Sequence, residues 1–510
     1  MKKAPGSAPA LLISRLRAAC LDHPVAASLL AAALVRVMAV FTAQGFMASD
    51  DYFVYLHIPW VWSHGGNEWF DMDHPSGFSI VYPGLNYLSI LAMRAVGLVN
   101  PDHMMYVNRA LHAAWSMLGV WYAVRILARA TSDARVLLGG GMLAAFVFIF
   151  PYASVRNLPE MVCVPFVMMS LFHAERALSD NRSRDALIAG LAIGASFVIR
   201  YQSLAFAPAA GLLFLLHRQW KAAVLFTLGA LVLLAFQGTV DLVAYGRFFA
   251  APIQYFGYNL QHSSEYVVGP WYRYLLLLIG IFIPPFSVLF LASAAFSRKK
   301  LPVVFWSTLL FLVVYSITPA KQERFVIPAL MPLALLGAIG MAELMQRNIA
   351  AGWRRAIGGG WKFFWVINTA IMLLFLIHYG KRGQIEALNY LYQRGDAQGV
   401  LVDRTDFDTW LPNFYLDIPR DNYFWVSSEN DWAALAAHVS TGHPKPRYGL
   451  ILVPKDINEH LQRFAQHGVT AHVLARFGPG PLEWILAQLN PKYNSTNDVY
   501  VVELAYNGEG

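Results

Sequence analysis

The chain has 510 residues, 57% of them hydrophobic and only 14% charged, where a soluble domain carries about 25% charged residues. That composition, with a mean hydropathy of +0.44, excludes both a string of soluble domains and intrinsic disorder. The net charge of +8 does not signal nucleic acid, since no basic run is dense enough to track phosphates, and Cys20 and Cys163 supply neither a disulfide framework nor a zinc spacing. What remains is a polytopic membrane protein. Its charge is uneven: residues 1–384 carry a net +14 and residues 385–510 a net −6.

Apolar runs long enough to approach the roughly 20 residues of a membrane crossing lie near 25–46, 77–97, 103–128, 136–154, 159–178, 186–201, 203–217, 222–245, 271–296, 302–318, 325–345 and 361–379. The basic tail 1–24, with Lys2, Lys3, Arg15 and Arg17, reads as cytoplasmic, and the first run as a retained helix, since no small-residue cleavage site follows it. Basic clusters at Arg125/Arg129/Arg135, Glu175–Arg184, His217–Lys221, Arg298–Lys300 and Arg347–Arg355 can all lie inside together only if one of the twelve runs does not cross. The run 77–97, with Tyr82-Pro83-Gly84, suits an interfacial or re-entrant helix. The expectation is eleven spans over 25–384, with residues 47–102 outside.

Residues 385–510 read as a small outer-side α/β domain. Short apolar runs (Val400–Val402, Tyr448–Val453, Val499–Val502) alternate with helical patterns at Ile385–Tyr392, Trp432–His438, Ile457–Gln466 and Leu482–Leu489.

Ionisable groups against an apolar phase are costly, so they are candidates for function. Five clusters fall on the outer side by this topology. Asp50 and Asp51 follow the first helix; adjacent carboxylates repel, which raises one pKa and suits a general base. The plain alternative is two solvated carboxylates at a helix end. Arg156-Asn157-Leu158-Pro159-Glu160 starts a helix, where a carboxylate also serves as a cap. Arg200 sits between two apolar runs, and either lines a cavity, finds an anion, or snorkels from a turn. Lys321-Gln322-Glu323-Arg324 places two cations against the positive-inside bias. A lipid phosphate would explain them, with Glu323 orienting Arg324; a surface ion pair would also. Asp241, Tyr245, Gly246, Tyr255, Asn259, Tyr266, Trp271 and Tyr272 make an aromatic loop that either belongs to the membrane belt or contacts a sugar.

The ordered set of these elements resembles the GT-C superfamily of membrane glycosyltransferases. Within it the chain is similar to glycosyltransferase family 22, the asparagine-linked-glycosylation and GPI-anchor mannosyltransferases. The matching elements are Asp50-Asp51-Tyr52-Phe53, Arg156 to Glu160, Arg200-Tyr201, Asp241 with Tyr245-Gly246 and Asn259, Trp271-Tyr272, and Lys321-Gln322-Glu323-Arg324-Phe325-Val326-Ile327-Pro328. They cover about residues 20–380. The chain departs from the family at Ala320, where the family has histidine, at Ala48-Ser49 before the acidic pair, and at Tyr201, where the family has proline.

The short basic N-terminus and the lack of a retention signal at Gly510 lead one to expect a bacterial inner membrane, and the positive-inside topology puts the site and the C-terminal domain on its periplasmic side. The resemblance implies a polyprenyl-phosphate sugar donor, most simply mannose, and an inverting transfer to a hydroxyl of a lipid-linked or envelope glycan. Asp51 or Asp50 would be the base, Asp51 being favoured. Lys321, Arg324 and Arg200 would hold the donor phosphate. Glu160, Arg156, Asn259, Tyr245 and Trp271 would shape the acceptor and sugar side. No metal, cofactor or nucleic acid is implied; Asp71-Met72-Asp73 matches the metal motif of soluble glycosyltransferases only formally. The alternatives are another sugar on the same fold, such as aminoarabinose to lipid A, a lipid or solute transporter, or a non-catalytic scaffold.

Overall fold

The computed structural model describes residues 8–265, 267–406, 411–440, 445–453, 456–491, 494 and 496–506; Lys2, Lys3 and Tyr266 lie outside them. The chain divides into two compact units. One comprises Met1–Val40, Trp69–Tyr82 and Arg109–Leu376, the other Phe41–Glu68, Pro83–Asn108 and Ile377–Gly510.

The first unit is a helix bundle. Among the described residues, Pro24–Thr42, Pro159–Asp180, Trp220–Tyr245, Glu323–Gln346 and Ala351–Leu376 are each long and apolar enough to cross a membrane. Every other expected span is also helical, in shorter, less apolar or broken pieces. Residues 271–296, expected as one span, form Arg273–Ile281 and Phe286–Lys299, bent by 110°. Pro284 and Pro285 lie at the break and deprive it of backbone donors. Small residues set one close helix pairing. A Cβ on Gly190 of helix Ser183–Ile199 would collide with the Phe226 carbonyl of Trp220–Tyr245, and one on Gly229 would meet the Leu187 carbonyl at 2.5 Å. Backbones approach this closely only without side chains between them.

The second unit is built on a five-stranded mixed sheet. Strands β1 (Val400–Asp403), β2 (Tyr423–Val426), β3 (Tyr448–Val453), β4 (Val469–Phe477) and β5 (Asp498–Tyr506) stand in the order β2-β1-β3-β5-β4. β1 runs parallel to β2 and β3, and β5 runs antiparallel to β3 and β4. The period-two alternation of a strand puts Val400 and Val402 on one face, packed with Ile385 and Leu388 of helix Arg382–Arg394. Leu401 faces the other side, packed with Trp432 of Glu429–Ser440 and Phe464 of Asn458–Gln466. The α/β reading of the tail is borne out. Strands β2 and β4 were not anticipated: Tyr423–Val426 is a single short apolar run, and in Val469–Phe477 the polar Thr470, His472 and Arg476 interrupt the apolar residues.

Helix Val81–Ala95 falls largely in this second unit. It buries Asn86, Ile90 and Met93 and exposes Leu85, Leu88 and Leu91. An apolar stripe turned outward is the pattern of a helix lying in a membrane interface.

Candidate functional site

In the bundle, Glu160 occupies the first turn of helix Pro159–Val162, after a turn that Pro159 ends with its fixed φ. Arg200 caps helix Ser183–Ile199 in an extended conformation, before the 3-10 turn Tyr201–Phe206. The tertiary fold joins them: Arg200 Nη2 lies 2.9 Å from Glu160 Oε1. Arg324 Nε lies 3.7 Å from the same oxygen and donates to Gln322 Oε1 at 2.9 Å. All three side chains are withdrawn from solvent. Both guanidiniums lie against the ring of Phe325, at 5.3 and 5.7 Å. The arginine between two apolar runs has thus found an internal carboxylate.

Glu323 does not orient Arg324. It pairs with Arg273 at 2.7 Å on the exposed side of the loop, because the 3-10 turn Glu323–Val326 points adjacent side chains in different directions. Lys321 is buried, its ammonium donating to the carbonyls of Tyr315 and Thr318 and lying 5.3 Å from the Tyr274 ring. Burial and the neighbouring Arg273 pull it below the ordinary lysine value. Arg156 is buried with its guanidinium 4.5 Å from the Tyr152 ring.

Arg200 and Arg324 both approach the Glu160 carboxylate, and the Lys321 ammonium donates to two backbone carbonyls. Buried cations are costly unless they are paired and hydrogen-bonded. Guanidinium forks and an ammonium together suit a phosphate.

Other expected residues do different work. Asp241 accepts from Gln237 Nε2 at 2.8 Å and from the Ala251 amide at 3.3 Å, and Gln237 in turn accepts from Ser79 Oγ at 2.8 Å. Tyr245 is buried with Phe197, Tyr201 and Ala251, and Gly246 closes the helix at φ +66°, a left-handed cap that favours glycine. The Asp-x-x-x-Tyr-Gly element therefore fastens the 76–79 segment and the start of helix Ala250–His262. Asn259 donates to the Tyr255 carbonyl at 2.7 Å, while Gln202 donates to the Tyr255 hydroxyl. Trp271 is 68% exposed, as a belt residue would be. The Asp71 carboxylate accepts from the amides of Asp73 and His74 within its own exposed turn. Tyr315, whose ring packs edge-on against Phe325 beside the cations, escaped sequence reasoning because it looks like an ordinary residue of an apolar run.

In the second unit, Ser49–Tyr52 forms one helical turn, followed by the π-turn Phe53–His57 and the helix Ile58–Ser63. Asp51 is 2% exposed and its Oδ2 accepts from the Met47 amide at 2.6 Å, whereas Asp50 is half-buried. The paired carboxylates thus sit in unlike surroundings. A π-turn directly after them is a feature that recurs at functional sites.

The whole architecture is similar to ArnT from Cupriavidus metallidurans bound to undecaprenyl phosphate, with a TM-score of 0.58 at 13% identity, over 93% of this chain and 97% of that one. The apo state of the same protein aligns with a TM-score of 0.56 at 14% identity, over 93% and 96% of the two chains. This is the GT-C fold, as the sequence led one to expect. The chain belongs to the Alg9-like mannosyltransferase family, whose sequence profile matches residues 27–402. It is 24% identical over 381 residues to mannosyltransferase APTG1 of Arabidopsis thaliana, covering 66% of this chain and 63% of that one. It is 27% identical over 177 residues to the human alpha-1,2-mannosyltransferase ALG9, 31% of this chain and 29% of the relative. GPI mannosyltransferase 3 of Saccharomyces cerevisiae matches at 28% over 157 residues, 28% of this chain and 25% of the relative. The chain thus spans less than two thirds of the length of the curated relatives it matches.

Proposed function

We propose that this chain is an inverting glycosyltransferase that moves mannose from a polyprenyl-phosphate donor to a hydroxyl of a lipid-linked or envelope glycan, on the outer face of a bacterial inner membrane. The observation that carries the reading is the gathering of Arg200 and Arg324 on the Glu160 carboxylate beside the buried Lys321, in a member of a mannosyltransferase family.

In the proposed reaction the Asp51 carboxylate takes the proton of the acceptor hydroxyl, whose oxygen attacks the anomeric carbon. The bond between that carbon and the phosphate oxygen breaks, and polyprenyl phosphate leaves with the electron pair. Arg200, Arg324 and Lys321 stabilise the charge that grows on the phosphate. Glu160 keeps the two guanidiniums together, and Arg156, Asn259, Tyr245 and Trp271 belong to the acceptor and sugar side.

The reading is tested on purified full-length chain in liposomes supplied with radiolabelled polyprenyl-phosphate mannose and membrane glycolipid acceptors. Transfer of label supports it. Failure to consume the mannosyl donor, with consumption of polyprenyl-phosphate aminoarabinose instead, would replace mannose with another sugar.

A further inference from the structure

Tyr52, next to Asp51, is buried and stacks on Phe46 with ring centroids 5.1 Å apart. Its hydroxyl accepts a hydrogen bond from the Phe414 amide at 3.2 Å. Phe414 belongs to the 3-10 turn Asn413–Tyr415, in the loop between β1 and β2. Three residues on, Asp417 adopts φ +55°. Its Oδ1 accepts from Trp60 Nε1 at 2.7 Å and from Arg94 Nη2 at 2.8 Å, and His64 Nε2 lies 3.4 Å away. Tyr52, Leu56 and Trp60 share one core with Leu411, Phe414, Tyr415 and Leu416. The turn 413–417 of the C-terminal domain therefore holds the segment carrying the acidic pair at both ends of its π-turn, by Tyr52 before it and Trp60 after it.

We propose that the turn 413–417 is a positioning element for the Asp51 carboxylate, and that the C-terminal domain is thereby part of the catalytic apparatus. The inference rests on the reading of Asp51 as the base. Pinned at Tyr52, the backbone of residues 49–52 cannot rotate, and the carboxylate stays on the Met47 amide in one orientation. General-base catalysis needs the acceptor proton within hydrogen-bond reach of that carboxylate, and small misplacements cost rate more than binding. Asp417 does the same at the far end, and its left-handed backbone suits aspartate or asparagine.

The experiment uses detergent-purified full-length chain, synthetic polyprenyl-phosphate mannose and an alkyl α-mannoside as acceptor. Tyr52→Phe removes one oxygen and keeps the ring, so folding is not in question. It should lower kcat by about 10-fold, the value of one hydrogen bond, leave the donor KM unchanged, and shift the acid limb of the kcat–pH profile. Asp417→Ala should do the same, and Asp417→Asn, which still accepts from Trp60, should restore most of the rate. Wild-type kcat and pH profile in both Tyr52→Phe and Asp417→Ala, with Asp51→Asn inactive, would overturn the inference and leave the base assignment standing. Full activity in Asp51→Asn would overturn the base assignment and the inference with it.

Discussion

Arg200 and Glu160 meet at 2.9 Å with 7% and 1% of their side chains exposed. Charges this deep persist only as partners, and removing one of them costs about 3–5 kcal/mol because the other is left uncompensated. Glu160→Ala removes the carboxylate that both guanidiniums approach. Its thermal midpoint, followed on purified chain, should fall well below wild type, and Glu160→Gln should lie between. Equal midpoints would mean that the pair contributes nothing to the fold.

Arg324 is the second guanidinium on the same oxygen. A hydrogen bond to a charged group is worth about 1.5–3 kcal/mol, so Arg324→Ala should raise the KM for the lipid-phosphate donor roughly 10- to 100-fold. Arg324→Lys keeps the charge without the planar fork and should recover part of the loss. Steady-state kinetics against donor concentration decides it; an unchanged donor KM removes the phosphate role.

Asp50 and Asp51 are distinguished by burial and by the Met47 amide bond. Asp51→Asn should lower kcat by about 10²–10⁴, the range of general-base catalysis, and Asp50→Asn by far less. The reverse order in a single-turnover assay would exchange their roles.

His460 is buried with Nδ1 at 2.6 Å from Asp403 and Nε2 at 3.1 Å from Asp406. Burial alone would lower its pKa, but hydrogen bonds to the two carboxylates outweigh burial and raise it above the ordinary 6.5. Burial likewise pushes Asp403 up, yet the bonds from His460 and Thr405 bring it below its ordinary 3.8. The imidazolium therefore stabilises the C-terminal domain fully below about pH 6.5 and less as pH climbs through its raised value. Asp403 contributes fully above about pH 3.8 and less as pH falls through its lowered value. Pulse proteolysis of the full chain should show resistance fading on the alkaline side. His460→Gln, which cannot titrate, should abolish that slope.

Gly190 faces the Phe226 carbonyl across a close helix pair. Gly190→Val should force helices Ser183–Ile199 and Trp220–Tyr245 apart and lower the thermal midpoint, whereas Gly139→Ala, where a Cβ meets nothing within 4 Å, should not. Equal midpoints would show that the bundle yields at this contact.

Much of this architecture was readable one residue at a time. The apolar runs became helices, the tail's apolar and amphipathic stretches became the central strands and the helices, and 77–97 became the separate helix Val81–Ala95. The two edge strands were not readable, since an edge strand is defined by its neighbour more than by its own composition. Arg200, Arg324 and Lys321 stood out because a cation in an apolar context is expensive wherever it ends up. Their partners did not stand out. Local spacing offered Glu323 to Arg324, but the 3-10 turn gave Glu323 to Arg273.

The chain's own composition determined that it is a helical membrane protein with a small α/β domain, because burial of apolar length and strand alternation are local properties. Its ordered motifs determined the family. The tertiary structure alone decided that Glu160 gathers two arginines and that Phe414 and Asp417 hold Tyr52 and Trp60. Those pairings join residues far apart in the chain, and a desolvated charge or buried hydroxyl takes whichever partner the packing brings within reach.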